Sequence, residues 1–212
     1  MSLIESLNWR YATKKFNPDK EVSKEDLDTL KEAIRLSPTS YGLDLYKVFI
    51  IEDQDLLEKL QPACWNQPHV TQASQMFVFA NVTEKFEEAV GKSIERKAKL
   101  TGKSVEEFEM YKKFVLGKMA ARTPEGNADW TAKQTYIPLT NLMTAAADLR
   151  IDCCPMEGFE ADQVNEIFDV LLGKLLTNRA RITPWQVATI SGDTSPDTRA
   201  LLTIAARPSN LL

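Results

Sequence analysis

Histidine and cysteine are scarce in this chain of 212 residues, which contains one histidine, His69, and three cysteines. A Ser-His-Asp hydrolase would have to use His69 as its base, and a metal centre built from several histidines is excluded. The cysteines, Cys64, Cys153 and Cys154, show no CxxC spacing, which indicates buried free thiols rather than a disulfide framework or a zinc site. We therefore expect any chemistry to come from a bound cofactor, with no metal ligands and no catalytic side chain.

Long apolar runs and an excess of basic residues are also absent. No stretch approaches the roughly 18 to 20 apolar residues that span a bilayer, and residues 1–9 lack the basic and apolar regions of a signal peptide. The formal net charge of −4 argues against a nucleic-acid surface or an anionic membrane surface. With 43% hydrophobic and 26% charged residues, the chain is predicted to be a cytoplasmic protein of one domain, residues 1–212, with small-molecule or protein partners.

Helical and strand patterns alternate along the chain without a regular βαβ period, which predicts an α+β fold. Ser23 and Asp26 resemble a capping box before a helix whose apolar residues repeat at helical spacing up to Ser37. The apolar runs Tyr46–Ile51 and Gln75–Val82 have strand length and are predicted to be central strands covered on both sides. Further strand candidates are 151–154 and 183–190.

Helices of two different characters are predicted between residues 84 and 149. Residues 84–119 are rich in charge and break near Thr101 and Gly102, which predicts two amphipathic helices within a helical excursion of roughly residues 91–125. Residues 129–149 are predicted to form an unusually apolar helix, which either runs through the core or forms a dimer seam.

Two short segments offer groups that suit an anionic planar ligand. Arg10 and Lys14, in the segment RYATK, are cations separated by three residues, and a guanidinium group is well suited to phosphate. The turn Ser37–Gly42 offers hydroxyl groups and backbone N–H donors. Taken alone, the first segment is more typical of surface cations after a helix, and the second is typical of a loop that ends one.

A third segment, Pro155–Phe159, is predicted to be a turn that contains a glycine, between an apolar helix and another helical stretch. Because Gly158 has no Cβ, the backbone at this point can approach a planar ring closely. The alternative interpretation is a simple turn from a strand to a helix.

In their order along the chain, these three segments resemble the nitroreductase family, the FMN-dependent NAD(P)H nitroreductases of the oxygen-insensitive type. The resemblance extends over about residues 3–190. It implies a nitroreductase-like fold, in which a central, mostly antiparallel sheet is flanked by helices, and an intertwined homodimer with FMN at the interface. The helix at 129–149 would then be the dimer seam, and Phe108, Phe114 and Leu116 would line a mobile lid over the substrate.

The resemblance also implies roles for individual residues. Arg10 would contact the FMN phosphate and Lys14 the pyrimidine edge, while the peptide nitrogens of Glu157 and Gly158 would face flavin N5. The implied cofactor-binding residues are Arg10, Tyr11, Ala12, Lys14, Pro38, Thr39, Ser40, Asn66, Gln134, Pro155, Met156, Glu157, Gly158 and Arg207. The implied substrate-binding residues are Tyr41, His69, Phe114 and Leu116.

The implied activity is the reduction of nitroaromatics, quinones or similar small acceptors by NADH or NADPH in a ping-pong cycle, by a homodimer without nucleic-acid or membrane partners. An alternative is a degenerate homologue with weak or no FMN binding that acts as a non-catalytic binding protein. Asp44 favours this degenerate homologue, because it places an acid near a site for anions. The C-terminal tail favours it too: the family usually has a Lys-x-Arg-x-Pro motif there, whereas this chain has Ile204 and Ala206 at the two cationic positions and keeps one cation, Arg207, displaced by one position. Arg150 also replaces the glycine usual before the third segment. A helical interaction module, a third hypothesis, is supported only by the charged helices.

Overall fold

The computed structural model describes residues 2–171, 180–181 and 187–191. The described helices are α1 (Leu3–Trp9), α2 (Lys24–Arg35), α3 (Gln54–Leu60), α4 (His69–Gln72), α5 (Phe86–Thr101), α6 (Glu109–Ala120), α7 (Pro124–Asp148) and α8 (Ala161–Leu171). The described strands are β1 (Tyr46–Ile51), β2 (Gln75–Val82), β3 (Asp152–Met156), β4 (Ala180–Arg181) and β5 (Val187–Ser191). Short 3-10 turns span Ser40–Gly42, Pro62–Cys64 and Glu106–Phe108.

The described strands form one antiparallel sheet in the order β1–β2–β5–β3, with β4 paired to β2. This confirms the predicted α+β fold. β2 is buried at every position, whereas β1 lies at the edge of the sheet formed by the described strands and is mostly half-buried. The prediction that β1 is central was therefore wrong. Phe49 packs on one face of the sheet, and Val48 and Ile50 pack on the other. The apolar pattern of β1 therefore indicates that both faces of the strand are covered, and it does not indicate where the strand lies in the sheet.

Helices cover both faces of the sheet, because successive β2 side chains point to opposite sides. Phe77 and Phe79 pack against α2 and α7 on one face. Met76 and Val78 pack against α3 and α8 on the other face. At the start of α2, Ser23 accepts a hydrogen bond from the backbone N–H of Asp26 at 3.1 Å, which confirms the predicted N-cap.

The two charged helices α5 and α6 form a separate apolar cluster with the loop that precedes β1. Val90 and Ile94 of α5 and Val115 of α6 pack there with Leu43 and Leu45. The predicted break is confirmed, since Gly102 ends α5 with a φ of 66°, a conformation that suits glycine. That residues 91–125 act as a lid stays a prediction.

Helix α7 begins at Pro124, earlier than the predicted residue 129. Thr123 caps it by accepting a hydrogen bond from the Gly126 N–H at 3.1 Å, and proline suits the first helical position. At the other end, the Ile151 N–H donates to the Ala146 carbonyl at 2.8 Å, and Arg150 adopts a φ of 61°. This is a Schellman ending, which favours glycine at the position of Arg150.

Candidate functional site

The first predicted segment runs beside β3 as an added extended chain. Ala12 forms a parallel bridge with Cys153, and the Thr13 N–H donates to the Cys153 carbonyl at 3.4 Å. The buried Thr13 hydroxyl donates to the Asp152 carboxylate at 3.1 Å. Because these bonds fix the backbone between Arg10 and Lys14, both cations are held next to the strand that leads into the third segment.

Two polar groups of this segment are buried without a partner among the described residues, and a third lies next to sulfur. Arg10 Nε and the Tyr11 hydroxyl are buried and make no hydrogen bond to the described residues. Lys14 is exposed, and its Nζ donates to Cys154 Sγ at 3.4 Å. A buried donor without an acceptor costs free energy, and among the described residues these two groups have none.

The thiols of β3 are buried and stay protonated. Burial raises the pKa of Cys153 to about 12. Burial also raises the pKa of Cys154, although the Lys14 ammonium and the Arg10 guanidinium oppose that shift. Cys64, Cys153 and Cys154 are all free and buried, which confirms the expected buried thiols.

The third segment is a strand end followed by a turn. Pro155 and Met156 belong to β3 and pair with β5, so the prediction that both lie in a turn was wrong. The turn begins at Glu157, and proline is tolerated because β3 is the last strand on its side of the described sheet.

The only histidine lies beneath this strand end and not in an open pocket. His69 is 2% exposed, and its Nε2 lies 2.9 Å from Met156 Sδ. Its ring meets Phe16 edge-on at a centroid distance of 6.4 Å. Burial, followed by the nearby Lys14 ammonium, lowers the pKa of His69 to about 4, so the ring is neutral at pH 7. This placement does not support the predicted substrate contact and instead packs His69 against Met156, next to Lys14.

Gly158 faces an indole ring that the sequence analysis did not assign to the site. The side-chain amide of Gln67 donates to the Gly158 carbonyl at 2.7 Å. Trp65 lies against Gly158 and donates from Nε1 to Glu160 at 2.7 Å. Asn66, the predicted cofactor contact, is exposed between them with a φ of 53°. Asn66 and the third segment are therefore neighbours, as the resemblance implies.

We expect Gly158→Ala to destabilise the protein by about 1 to 3 kcal/mol through overpacking. A Cβ at this position would lie 2.8 Å from two carbons of the Trp65 ring. Chemical denaturation of the single and double variants checks this, because Gly158→Ala should cost little when Trp65 is already alanine. Gly117→Ala is the matched control, since no atom lies within 4 Å of a Cβ there. An equal cost in both Trp65 backgrounds would contradict the steric explanation.

The second predicted segment is held by the middle of α7. The Ser40 N–H donates to Gln134 Oε1 at 2.8 Å, and Asn141 Nδ2 donates to the Ser37 hydroxyl at 2.8 Å. The structure therefore brings together Ser40 and Gln134, two of the predicted cofactor residues. Pro38 is exposed and Thr39 half-buried, so the turn presents its surface to the outside.

Asp44, the residue that favoured the degenerate homologue, contacts a hydroxyl group and lies near a cation of the same chain. Its carboxylate accepts a hydrogen bond from the Thr39 hydroxyl at 3.0 Å and lies 4.0 Å from Arg96. The negative charge thus has a hydroxyl donor and a nearby cation, which weakens the objection that Asp44 would repel an anion.

One stretch of α7 contacts both halves of the candidate site. Gln134 holds Ser40 of the second segment, and Tyr136 donates from its hydroxyl to Glu157 of the third at 3.2 Å. Tyr136 was missed by the sequence analysis, although it lies two residues after the assigned Gln134. Of the other predicted substrate residues, Phe114 meets Tyr41 of the second segment, and Leu116 packs in the α5–α6 cluster. Arg207 lies outside the described residues.

In the described structure, Lys14 lies beside β3, and the Ser40 amide is held by Gln134 of α7. Sequence comparison then gives the family. The model of the family described as the Nitroreductase family matches residues 7–175, and the chain belongs to this family. A relative from Staphylococcus haemolyticus, provisionally named an NAD(P)H nitroreductase, is 39% identical over 172 residues, covering 78% of each chain. A relative from Staphylococcus epidermidis with the same provisional name is 37% identical over 183 residues, covering 78% of this chain and 77% of its own.

Solved structures confirm the nitroreductase fold. A provisionally named nitroreductase from Exiguobacterium sibiricum in complex with FMN superposes with a TM-score of 0.77 at 19% identity, covering 100% of this chain and 93% of that chain. The Bacillus subtilis protein ydfN, also provisionally named a nitroreductase, gives a TM-score of 0.76 at 22% identity, covering 99% of this chain and 93% of that chain. None of the helices in the described part of the chain is long and apolar enough to cross a bilayer.

Proposed function

We propose that the protein is an FMN-dependent NAD(P)H oxidoreductase that reduces nitroaromatics, quinones or similar small acceptors. The observation that carries the proposal is the buried Arg10 Nε without an acceptor, on a segment that also holds Lys14 beside β3. An FMN phosphate would satisfy this donor, and the donor set of the three segments fits the rest of the cofactor. The names of the staphylococcal relatives and the FMN complex of the Exiguobacterium protein support the same assignment.

The residues present would bind and orient the cofactor and would perform no covalent step. Bound FMN supplies hydride transfer, first from NADH or NADPH and then to the acceptor. Arg10 would hold the phosphate, and Lys14 would place positive charge at the pyrimidine edge, where it favours a negatively charged ring. The Glu157 and Gly158 amides would donate to the ring edge, because a glycine lets the backbone come close. Met156, whose sulfur lies against His69, would cover the ring face.

The homodimer is also part of this proposal. In one chain, Arg10, Lys14 and Gly158 lie at the β3 side, whereas Ser40 and Gln134 lie together at α7. The α7 residues Tyr136, Thr140 and Thr144 carry exposed or half-buried polar side chains. Two copies that meet along α7 would give each cofactor groups from both chains, with α5 and α6 as a cover over the acceptor. Size-exclusion chromatography with light scattering tests this, and a monomer at micromolar concentration would contradict it.

The decisive experiment is a titration of the purified protein with FMN, followed by anaerobic addition of NADH or NADPH. Flavin absorbance at about one FMN per chain that bleaches with either nucleotide supports the proposal. Binding without bleaching removes the nicotinamide step. No binding at saturating FMN rejects the proposal and favours the non-catalytic homologue, whose main remaining support is the altered C-terminal tail.

A further inference from the structure

Three aromatic rings meet at the surface next to the second segment. Tyr41 lies at the centre of this aromatic patch, 6.1 Å from the ring of Phe114 and 6.0 Å from the ring of Trp130. Phe114 is 51% exposed. Tyr41 directly follows Ser40, whose backbone N–H is bound to Gln134. The patch therefore adjoins the second segment of the candidate cofactor site.

Cations sit over the rings of this region and form a cationic rim. Lys118 Nζ lies 5.5 Å from the centroid of Phe114, and Arg122 Cζ lies 4.9 Å from the centroid of Trp130. Lys97 Nζ lies 4.7 Å from the centroid of Tyr111, whose hydroxyl donates to the Tyr41 carbonyl at 2.6 Å. A cation over an aromatic face is held in place but keeps N–H donors free for an anion.

These three cations differ from the ion-paired surface cations of the same chain. Lys92, Lys133 and Arg35 each contact a carboxylate of their own helix at 2.5 to 2.7 Å. Within the described residues, Lys97, Lys118 and Arg122 have no carboxylate within 4 Å. Of the acids near the patch in sequence, Asp129 pairs with Lys133 at 2.6 Å, Asp44 accepts a hydrogen bond from Thr39 and lies 4.0 Å from Arg96, and Glu125 is exposed.

Three cations lie over aromatic rings in this region, of which Phe114 is exposed, on a protein whose formal net charge is −4. Aromatic rings bind a flat aromatic acceptor by stacking or edge contact. A cation at the rim then favours an acceptor that carries a negative group, because the attraction adds to the ring contact and lowers the free energy of the bound state.

We propose that the aromatic patch and its cationic rim select aromatic acceptors that carry an anionic substituent, such as a carboxylate, over neutral acceptors of the same size. This inference rests on the proposed reductase function for its biological meaning. The binding preference itself is a property of Tyr41, Phe114, Trp130 and the rim cations and can be measured without turnover.

The first test compares 4-nitrobenzoate with 4-nitrobenzyl alcohol, which share a ring and differ in charge. Isothermal titration calorimetry should show tighter binding of the benzoate at low salt, and 0.5 M NaCl should reduce the difference because exposed charges are screened. In the FMN-loaded protein, kcat/KM should show the same preference. Equal affinity for the two compounds at low salt would overturn the inference.

The second test removes the rim charges. The double variant of Lys118→Gln and Arg122→Gln should lower the benzoate-to-alcohol ratio roughly fivefold, since each exposed charge contributes a modest attraction. Ion-paired cations provide the control, so Lys92→Gln with Arg35→Gln should leave the ratio unchanged. The inference would be overturned if the rim variant kept the wild-type benzoate-to-alcohol ratio, or if the control variant lowered that ratio equally. It would also be overturned if the only effect of the rim variant were a lost preference for NADPH over NADH, because the rim cations would then bind the nucleotide and not the acceptor. Failure to bind FMN, with the binding preference intact, would reject the reductase proposal alone.

Discussion

Arg10→Met is expected to weaken FMN binding roughly 10- to 100-fold, the effect of losing one charge-assisted hydrogen bond. The same change should leave the apoprotein as stable as the wild type or slightly more stable. The reason is that Arg10 Nε is buried without an acceptor in the described structure, so an apolar side chain of similar length removes an unsatisfied donor. Flavin titration and thermal unfolding of the apoprotein measure the two effects.

Two further variants sharpen this result. Arg10→Lys keeps the charge but loses the planar donor fork, so its affinity for FMN should be intermediate. Arg35→Met removes a surface guanidinium that pairs with Glu32 and should change FMN affinity little. If Arg10→Met destabilised the apoprotein and bound FMN normally, the guanidinium would serve the fold, and the observation that carries the proposed function would be lost.

His69 is expected to make the protein lose about 2 to 3 kcal/mol of stability between pH 6.5 and pH 4. Burial and Lys14 lower its native pKa to about 4, against an ordinary value of 6.5. Between these values the unfolded chain binds a proton that the native chain does not, so stability falls as the pH falls. Urea denaturation at several pH values from 7 to 4 measures the slope.

The matched variant is His69→Gln, which is polar and cannot take up a proton in this range. Carboxylates contribute their own pH dependence in both proteins, so the difference between the two curves isolates the histidine. The variant should show the shallower loss of stability below pH 6.5. Parallel curves would mean that His69 titrates normally, which would contradict its burial beneath Met156.

Strand limits were predictable wherever an apolar run is bounded by polar or turn residues. Tyr46–Ile51 and Gln75–Val82 match β1 and β2. Their positions in the sheet were not predictable, because edge and centre depend on the partner strand and not on the run itself. For α7 the signal was present and overlooked, since Thr123 and Pro124 form a capping residue and a favourable first helical residue.

The site was predictable as separate segments, but its contacts were not. The resemblance placed Arg10 and Lys14 near the third segment, yet the bond from Lys14 to Cys154 joins residues 140 positions apart, which no local pattern reports. The positive φ angles of Tyr41 and Trp65 were equally hidden, because tertiary contacts impose them on residues that rarely adopt them. The burial of His69 was not predictable, because a single polar residue in a short helix carries no periodic signal of burial.

The single histidine gives this protein a built-in spectroscopic reporter. The imidazole of His69 lies between the Met156 side chain and the Lys14 segment, and no other histidine occurs in the chain. Its ring protons therefore produce one isolated set of NMR resonances, without any labelling or mutation. A planar ligand bound against Met156 would shift those resonances through its ring current. The chemical shifts of the His69 ring protons would then measure how much of the site is occupied in the unmodified protein.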